Sequence, residues 1–156
     1  MKNVVYLVQH GKAKDKEDDP ARPLTDQGRR ETERIAELAA RLDLGIGEIQ
    51  HSGKTRAEET AVIFGRALGV RGSVTAVAGL HPTDDVKLVA ERLAGTANPV
   101  MLVGHLPFMP RLAGQLVYGN AEKLPVEFRK SGIVCLVHEA DGWRVDWQLN
   151  PGPETG

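Results

Sequence analysis

The chain has almost no cysteine: Cys135 is the only one among 156 residues, so an internal disulfide is excluded. Set in the apolar run GIVCLVHEA, that thiol reads as a small buried hydrophobe. Net charge is nearly absent too, at a formal -1, which leaves no long-range field to hold the chain on nucleic acid or an anionic membrane. No stretch approaches the roughly 20 apolar residues that span a bilayer. The opening MKNVVYLVQHGK has a short apolar run and lacks the small-residue cleavage site of a signal peptide. Together these absences predict a soluble, cytoplasmic protein with no nucleic-acid and no membrane partner, one that recognises what it binds locally. Internal repeats and low-complexity segments are missing as well. SGKT at 52–55 resembles the end of a phosphate-binding P-loop, but Glu48 stands where the loop requires a glycine and Gly47 is one residue too early.

What is present is an alternation of strand-like and helix-like segments. NVVYLV at 3–8 is apolar and β-branched, as in a central strand covered on both faces. PLTDQGRRETERIAELAARLDLG follows as a helix, with Thr25 or Asp26 as cap, Ile35, Leu38, Ala39 and Leu42 at helical spacing, and Gly45 beyond its end. GEIQHS is a short strand and KTRAEETAVIFGRALGV a helix with Ala57, Ala61, Phe64 and Leu68 on one stripe. SVTAVAGL, TDDVKLVAERLAG, NPVMLVG and LPFMPRLAGQLVYG continue as strand, helix, strand and helix, with Pro107 near the last helix's first turn and Pro110 blurring its start. GIVCLVHEA and WRVDWQLN flank Asp141-Gly142, a hairpin signal. The expected fold is an α/β three-layer sandwich: a mostly parallel sheet, helices on both faces, and an antiparallel C-terminal edge hairpin. Residues 1–150 read as one domain and 151–156 as a frayed tail.

Ligands of such sheets bind outside the carboxyl ends of the strands. His10 and His105 both lie there, each beside a glycine that allows close approach. Arg22, in the loop after the first strand, and Arg56, in the first turns of the second helix, are near the same crevice. Either arginine alone reads as a solvated surface charge, yet a planar guanidinium can bind two phosphoryl oxygens at once. Two imidazoles and two guanidiniums make an oxyanion pocket. His51 and His138 read as structural, and His81 as either an ordinary loop residue or part of the rim. No histidine pair has short metal-ligand spacing and no thiolate cluster accompanies them, so neither a metal nor another cofactor is expected.

At this point the motifs converge on a family. LVQHGKA, RPLTDQG, SGKTRAEETA, VGHLP and WQLNPG resemble, in order and over nearly the whole chain, the motifs of the histidine phosphatase (phosphoglycerate mutase-like) superfamily, most closely its small SixA-like phosphohistidine phosphatases. The resemblance implies that His10 is the nucleophile of a metal-independent phosphatase and that Arg22, Arg56 and His105 bind the phosphoryl group. It implies a covalent phospho-His10 intermediate, and as substrate a phosphohistidine on a histidine-containing phosphotransfer domain of a two-component relay.

The first motif of that superfamily is usually Arg-His-Gly, whereas this chain has Gln9-His10-Gly11. Gln9 is therefore a phosphate-binding candidate through its amide, without charge. Lys12, in the same loop, is a candidate for restoring the charge, against the plainer reading of a solvated lysine. A general acid is sought in GLHPTDDV, which carries His81, Asp84 and Asp85, none at an assignable spacing. An imidazole leaving group needs such an acid less than an alkoxide does. Two alternatives use the same pocket: a small-molecule phosphomonoesterase, and a catalytically weak phosphate- or phosphoprotein-binding module. Phosphoglycerate mutase chemistry is a weaker one.

Overall fold

The computed structural model describes residues 3–152, and positions 153–156 of the expected tail lie outside the described residues. Strand β1 (Asn3–Gln9) is the apolar first run, and from Val5 onward every residue is buried. Its burial follows from its place in a six-stranded sheet of order β3-β2-β4-β1-β5-β6, with β2 at Glu48–His51, β3 at Val74–Ala76, β4 at Val100–Gly104, β5 at Ile133–Glu139 and β6 at Gly142–Leu149. The pairings β2·β3, β2·β4 and β1·β4 are parallel, while β1·β5 and β5·β6 are antiparallel.

Helices α1 (Asp26–Ala40) and α2 (Thr55–Leu68) cover one face, α3 (Val86–Ala94) and α4 (Phe108–Tyr118) the other. On the first face Tyr6, Val8, Met101 and Val103 pack with Ile35, Ala39, Ala61 and Phe64; on the second Val5, Leu7 and Leu102 pack with Val89, Leu93, Met109 and Leu112. Alternate residues of β1 and β4 thus feed opposite layers, which is why both strands are apolar throughout. No described helix is long and apolar enough to cross a membrane.

Thr25 caps α1, its hydroxyl accepting the Gly28 N–H at 2.9 Å. The buried stripe of α1 differs from the expected one: Leu38 and Leu42 are 43% and 52% exposed, and the inner face is Gly28, Thr32, Ile35, Ala36 and Ala39. Small residues win there because α1 lies close to α2 and to the loop after β1. Gly28 is the tightest point, since a Cβ at that position would collide with the Lys12 carbonyl.

β3 is only three residues long, so SVTAVAGL is mostly loop. α4 accommodates Pro110 in its first turn, where no intrahelical donor is lost. The hairpin loop is one residue earlier than its signal suggests: Gly142, at φ 112°, pairs with Glu139 across Ala140-Asp141. Gly142 therefore serves as the first residue of β6, in a conformation that favours glycine.

Candidate active site

The parallel pairing of β1 with β4 ends at Gln9 opposite Gly104, and the His10 N–H closes on the Gly104 carbonyl at 3.0 Å. The next residue of each chain segment is a histidine, so the ladder delivers both imidazoles to one edge, ring centroids 5.1 Å apart. Both are buried, at 8% and 2% exposure.

Their tautomers follow from their partners. His10 Nδ1 lies 2.7 Å from the Gly11 carbonyl oxygen, which only accepts, so Nδ1 carries the proton and Nε2 keeps its lone pair. Burial pushes the His10 pKa down to about 4; the Gly11 bond opposes this, and the positive charges of Arg56, Lys130 and Arg22 add to it. The ring is a neutral base at physiological pH, able to act as a nucleophile through Nε2.

His105 Nε2 is 2.6 Å from Ser52 Oγ. Its pKa is pushed down to about 3, first by burial and then by His10, Arg56, Lys54 and His81. With the hydroxyl donating, Nε2 accepts and the proton sits on Nδ1, which is buried without a hydrogen-bond partner. Arg56 Nε is in the same condition. Burial and Arg22 lower the Arg56 pKa, yet a guanidinium stays protonated near neutrality. Two buried, unsatisfied N–H donors at one strand edge are costly to leave unmade and suit an oxyanion that accepts from both.

The surrounding bonds hold this edge rigid. Thr60 Oγ1 donates to the Arg56 carbonyl at 2.7 Å and accepts the Gly11 N–H at 3.0 Å, tying the first turn of α2 to the loop after β1. Arg22 is half-buried, with its Nε on the Lys14 carbonyl at 3.0 Å and its backbone in the left-handed region at φ 52°. For a residue with a Cβ that conformation costs on the order of 1 kcal/mol, retained where the surrounding structure fixes it.

The structure thus brings His10, His105, Arg22 and Arg56 together, with Gln9 buried beside them. Lys12 is turned away: it is exposed, and its Nζ donates to Gln27 Oε1 at 3.1 Å. The acid candidates each hold a backbone N–H with one carboxylate oxygen. Asp85 caps α3 by accepting the Lys87 N–H at 3.0 Å, and Asp84 Oδ2 accepts the His81 N–H at 2.9 Å. His51 is structural, its Nδ1 accepting the Gly53 N–H at 3.1 Å, and the His138 ring lies against Trp143. Among the described residues no group of three or more His, Cys, Asp or Glu side chains is placed to share a metal ion.

Sequence reasoning missed Ser52, Thr60 and Lys130. Ser52 sits inside the SGKT stretch discounted as a P-loop; its signal was the histidine 53 residues away, visible only once β2 and β4 pair. A cavity of about 390 Å³, lined by Pro82, Asp84, Asp85, Pro107 and Arg111, opens close by, between the loop after β3 and the start of α4. Another, of about 490 Å³, lies at the amino ends of β2 and β4 and holds none of the site's residues.

No protein-family model matches the chain. It is 29% identical to the phosphohistidine phosphatase SixA of Escherichia coli over 153 residues, 94% of this chain and 93% of that protein. An uncharacterized protein of Picosynechococcus is 31% identical over 140 residues, covering 85% and 83% of the two chains. Among solved structures, the protein histidine phosphatase SixA complexed with tungstate superposes with a TM-score of 0.83 at 29% identity, over 95% of this chain and 97% of that one. Several mycobacterial phosphatases and hydrolases at 16–20% identity share the fold. With two imidazoles and two guanidiniums gathered at one strand edge, the chain is similar over its whole length, in both sequence and fold, to the SixA-like histidine phosphatases.

Proposed function

We propose that the protein is a phosphohistidine phosphatase, and that it takes the phosphoryl group from a histidine-containing phosphotransfer domain onto His10. One observation carries this reading. The Gly11 carbonyl holds His10 as its Nδ1–H tautomer, leaving a neutral Nε2 beside the buried donors of His105 and Arg56.

In the first step the Nε2 lone pair attacks phosphorus as the P–N bond of a substrate ring protonated on its other nitrogen breaks, and the departing neutral imidazole keeps that electron pair. The positive charge gained by the phosphorylated His10 ring is shared with the Gly11 carbonyl through Nδ1–H. In the second step water attacks phosphorus, the His10 N–P bond breaks, and the water proton leaves with inorganic phosphate. Arg22, Arg56 and the His105 Nδ1–H stabilise the equatorial oxygens in both steps. Gln9 adds an amide donor without charge. A relative complexed with tungstate, a tetrahedral oxyanion, supports a pocket of phosphoryl size.

The choice of phosphohistidine over an ester rests on the leaving group. An alkoxide needs a proton from a positioned acid, whereas a phosphohistidine ring that takes up its own proton on the other nitrogen near neutrality leaves as neutral imidazole without one. Asp84 and Asp85 each hold a backbone N–H with one oxygen, in the turn and at the α3 cap, roles that need no acid chemistry and so favour the phosphoramidate.

The test compares a phosphohistidine-bearing phosphotransfer domain with an aryl phosphate, using wild type and His10→Ala. Turnover of the phosphohistidine by wild type alone, faster than ester cleavage, is the expected result. Ester cleavage alone points to a small-molecule enzyme, and phosphate binding without turnover to a binding module. Activity retained in His10→Ala removes the nucleophile.

A further inference from the structure

Gln9 has a second neighbour besides β4. On its other side the chain between α4 and β5 returns and makes an isolated parallel bridge, Gln9 to Lys130, sealed by the Ser131 N–H on the Gln9 carbonyl at 2.9 Å. Ser131 is fully buried and holds the left-handed region at φ 66°, an uncommon conformation for a residue with a side chain. Its hydroxyl meets Thr32 Oγ1 at 2.7 Å, and a Cβ on Gly11 would come within 2.9 Å of it. The segment is therefore wedged between α1 and the loop that carries His10.

The neighbours of Lys130 are otherwise occupied. Phe128 is buried at 8% exposure, and Arg129 faces Glu127 at 3.9 Å. Lys130 itself is exposed and, among the described residues, has no ion pair or side-chain hydrogen bond. Residues opposed across a bridge start their side chains on the same face, so Lys130 leaves the backbone on the side of the uncharged Gln9, and its positive charge is felt at His10. Of the cations acting on His10, Lys130 ranks after Arg56 and ahead of Arg22.

We infer that Lys130 is a phosphoryl-binding residue, supplying across the Gln9 bridge the positive charge that Gln9 does not carry. An ammonium on a flexible stem gives a point charge in place of a fixed fork, so it attracts the phosphoryl oxygens without imposing bidentate geometry. The inference rests on the phosphatase reading for its role in turnover, but its effect on oxyanion binding stands apart from it.

The experiment therefore measures inorganic phosphate affinity by calorimetry, alongside phosphohistidine turnover, for wild type, Lys130→Ala, Lys130→Arg and the double variant Lys130→Ala with Gln9→Arg. Lys130→Ala is expected to melt like wild type and to lose about 10- to 100-fold in phosphate affinity and in kcat/KM. Lys130→Arg and the double variant are expected to recover most of both, because each restores a cation on one side of the bridge. Unchanged phosphate affinity in Lys130→Ala overturns the inference, as does a loss that Gln9→Arg leaves uncorrected. If wild type binds phosphate without turnover and Lys130→Ala still weakens it, hydrolysis falls and the role of Lys130 stands. If wild type binds no phosphate, both fall.

Discussion

Ser52 Oγ and His105 Nε2 are 2.6 Å apart, and the same hydroxyl accepts the Lys54 N–H at 3.3 Å. On the proposed mechanism the hydroxyl donates to Nε2 and keeps the His105 proton on Nδ1, the nitrogen turned to the phosphoryl group. Ser52→Ala removes that bond and frees the ring to exchange tautomers. The expected outcome is roughly a tenfold fall in both phosphate affinity and kcat, with the His105 ¹⁵N shifts moving away from a pure Nδ1–H pattern. Ser52→Thr restores all three. A merely packing role for Ser52 leaves the ¹⁵N pattern unchanged.

The acid behaviour of His10 separates burial from an ordinary surface ring. Its pKa is about 4 in the folded chain against 6.5 when unfolded, so between those values the unfolded chain holds more protons. Stability conferred by the neutral ring is full above about 6.5 and is lost as pH falls towards 4, on the order of 3 kcal/mol from His10. Titration of the His10 Cε1–H by NMR is expected to give a midpoint near 4, with the melting temperature falling over the same interval. A midpoint near 6.5 contradicts the buried, neutral nucleophile.

Gly28 is where α1 rests on the backbone of Lys12. A Cβ there would come within 2.9 Å of the Lys12 nitrogen and closer still to its carbonyl oxygen, neither of which can swing aside. Gly28→Ala is expected to destabilise by about 2–3 kcal/mol in equilibrium urea unfolding, and to reduce turnover by shifting the loop that carries His10. Gly47→Ala, at a position with open space around it, is the neutral control.

The engagement of Asp84 and Asp85 gives a further expectation. Asp85→Asn keeps the α3 cap, since asparagine caps as well as aspartate, and deletes the only acid function the residue has. Phosphohistidine hydrolysis by Asp84→Asn and Asp85→Asn is expected to stay within about twofold of wild type across the pH range. A loss of tenfold or more in either identifies a general acid.

Much of this arrangement was legible from local signals. Apolar runs ending at Gln9 and Gly104 announced two covered strands, and the histidine after each placed the chemistry at their carboxyl edge. Thr25 announced its cap by type and position. What the sequence hid depends on contacts between distant segments. Leu38 and Leu42 match the helical period yet face outward, because α1 approaches its neighbours on the side of its small residues. Lys12 is close to His10 along the chain but is drawn to Gln27, whereas Lys130, distant in sequence, is brought opposite Gln9 by an isolated bridge. Ser52 and Thr60 carry no pattern of their own; each acquires its role from a partner on another strand or loop.

Thr60 sets one dimension of the site. A single hydroxyl joins the Gly11 N–H to the Arg56 carbonyl, so the gap between the nucleophile's loop and the arginine's helix cannot widen without breaking a buried bond, at roughly 1–3 kcal/mol. The pocket is a gauge of fixed opening, set before any ligand arrives. If the proposed reaction holds, what such a gauge measures is the phosphoryl group itself, with the bulk behind that group left to the solvent side.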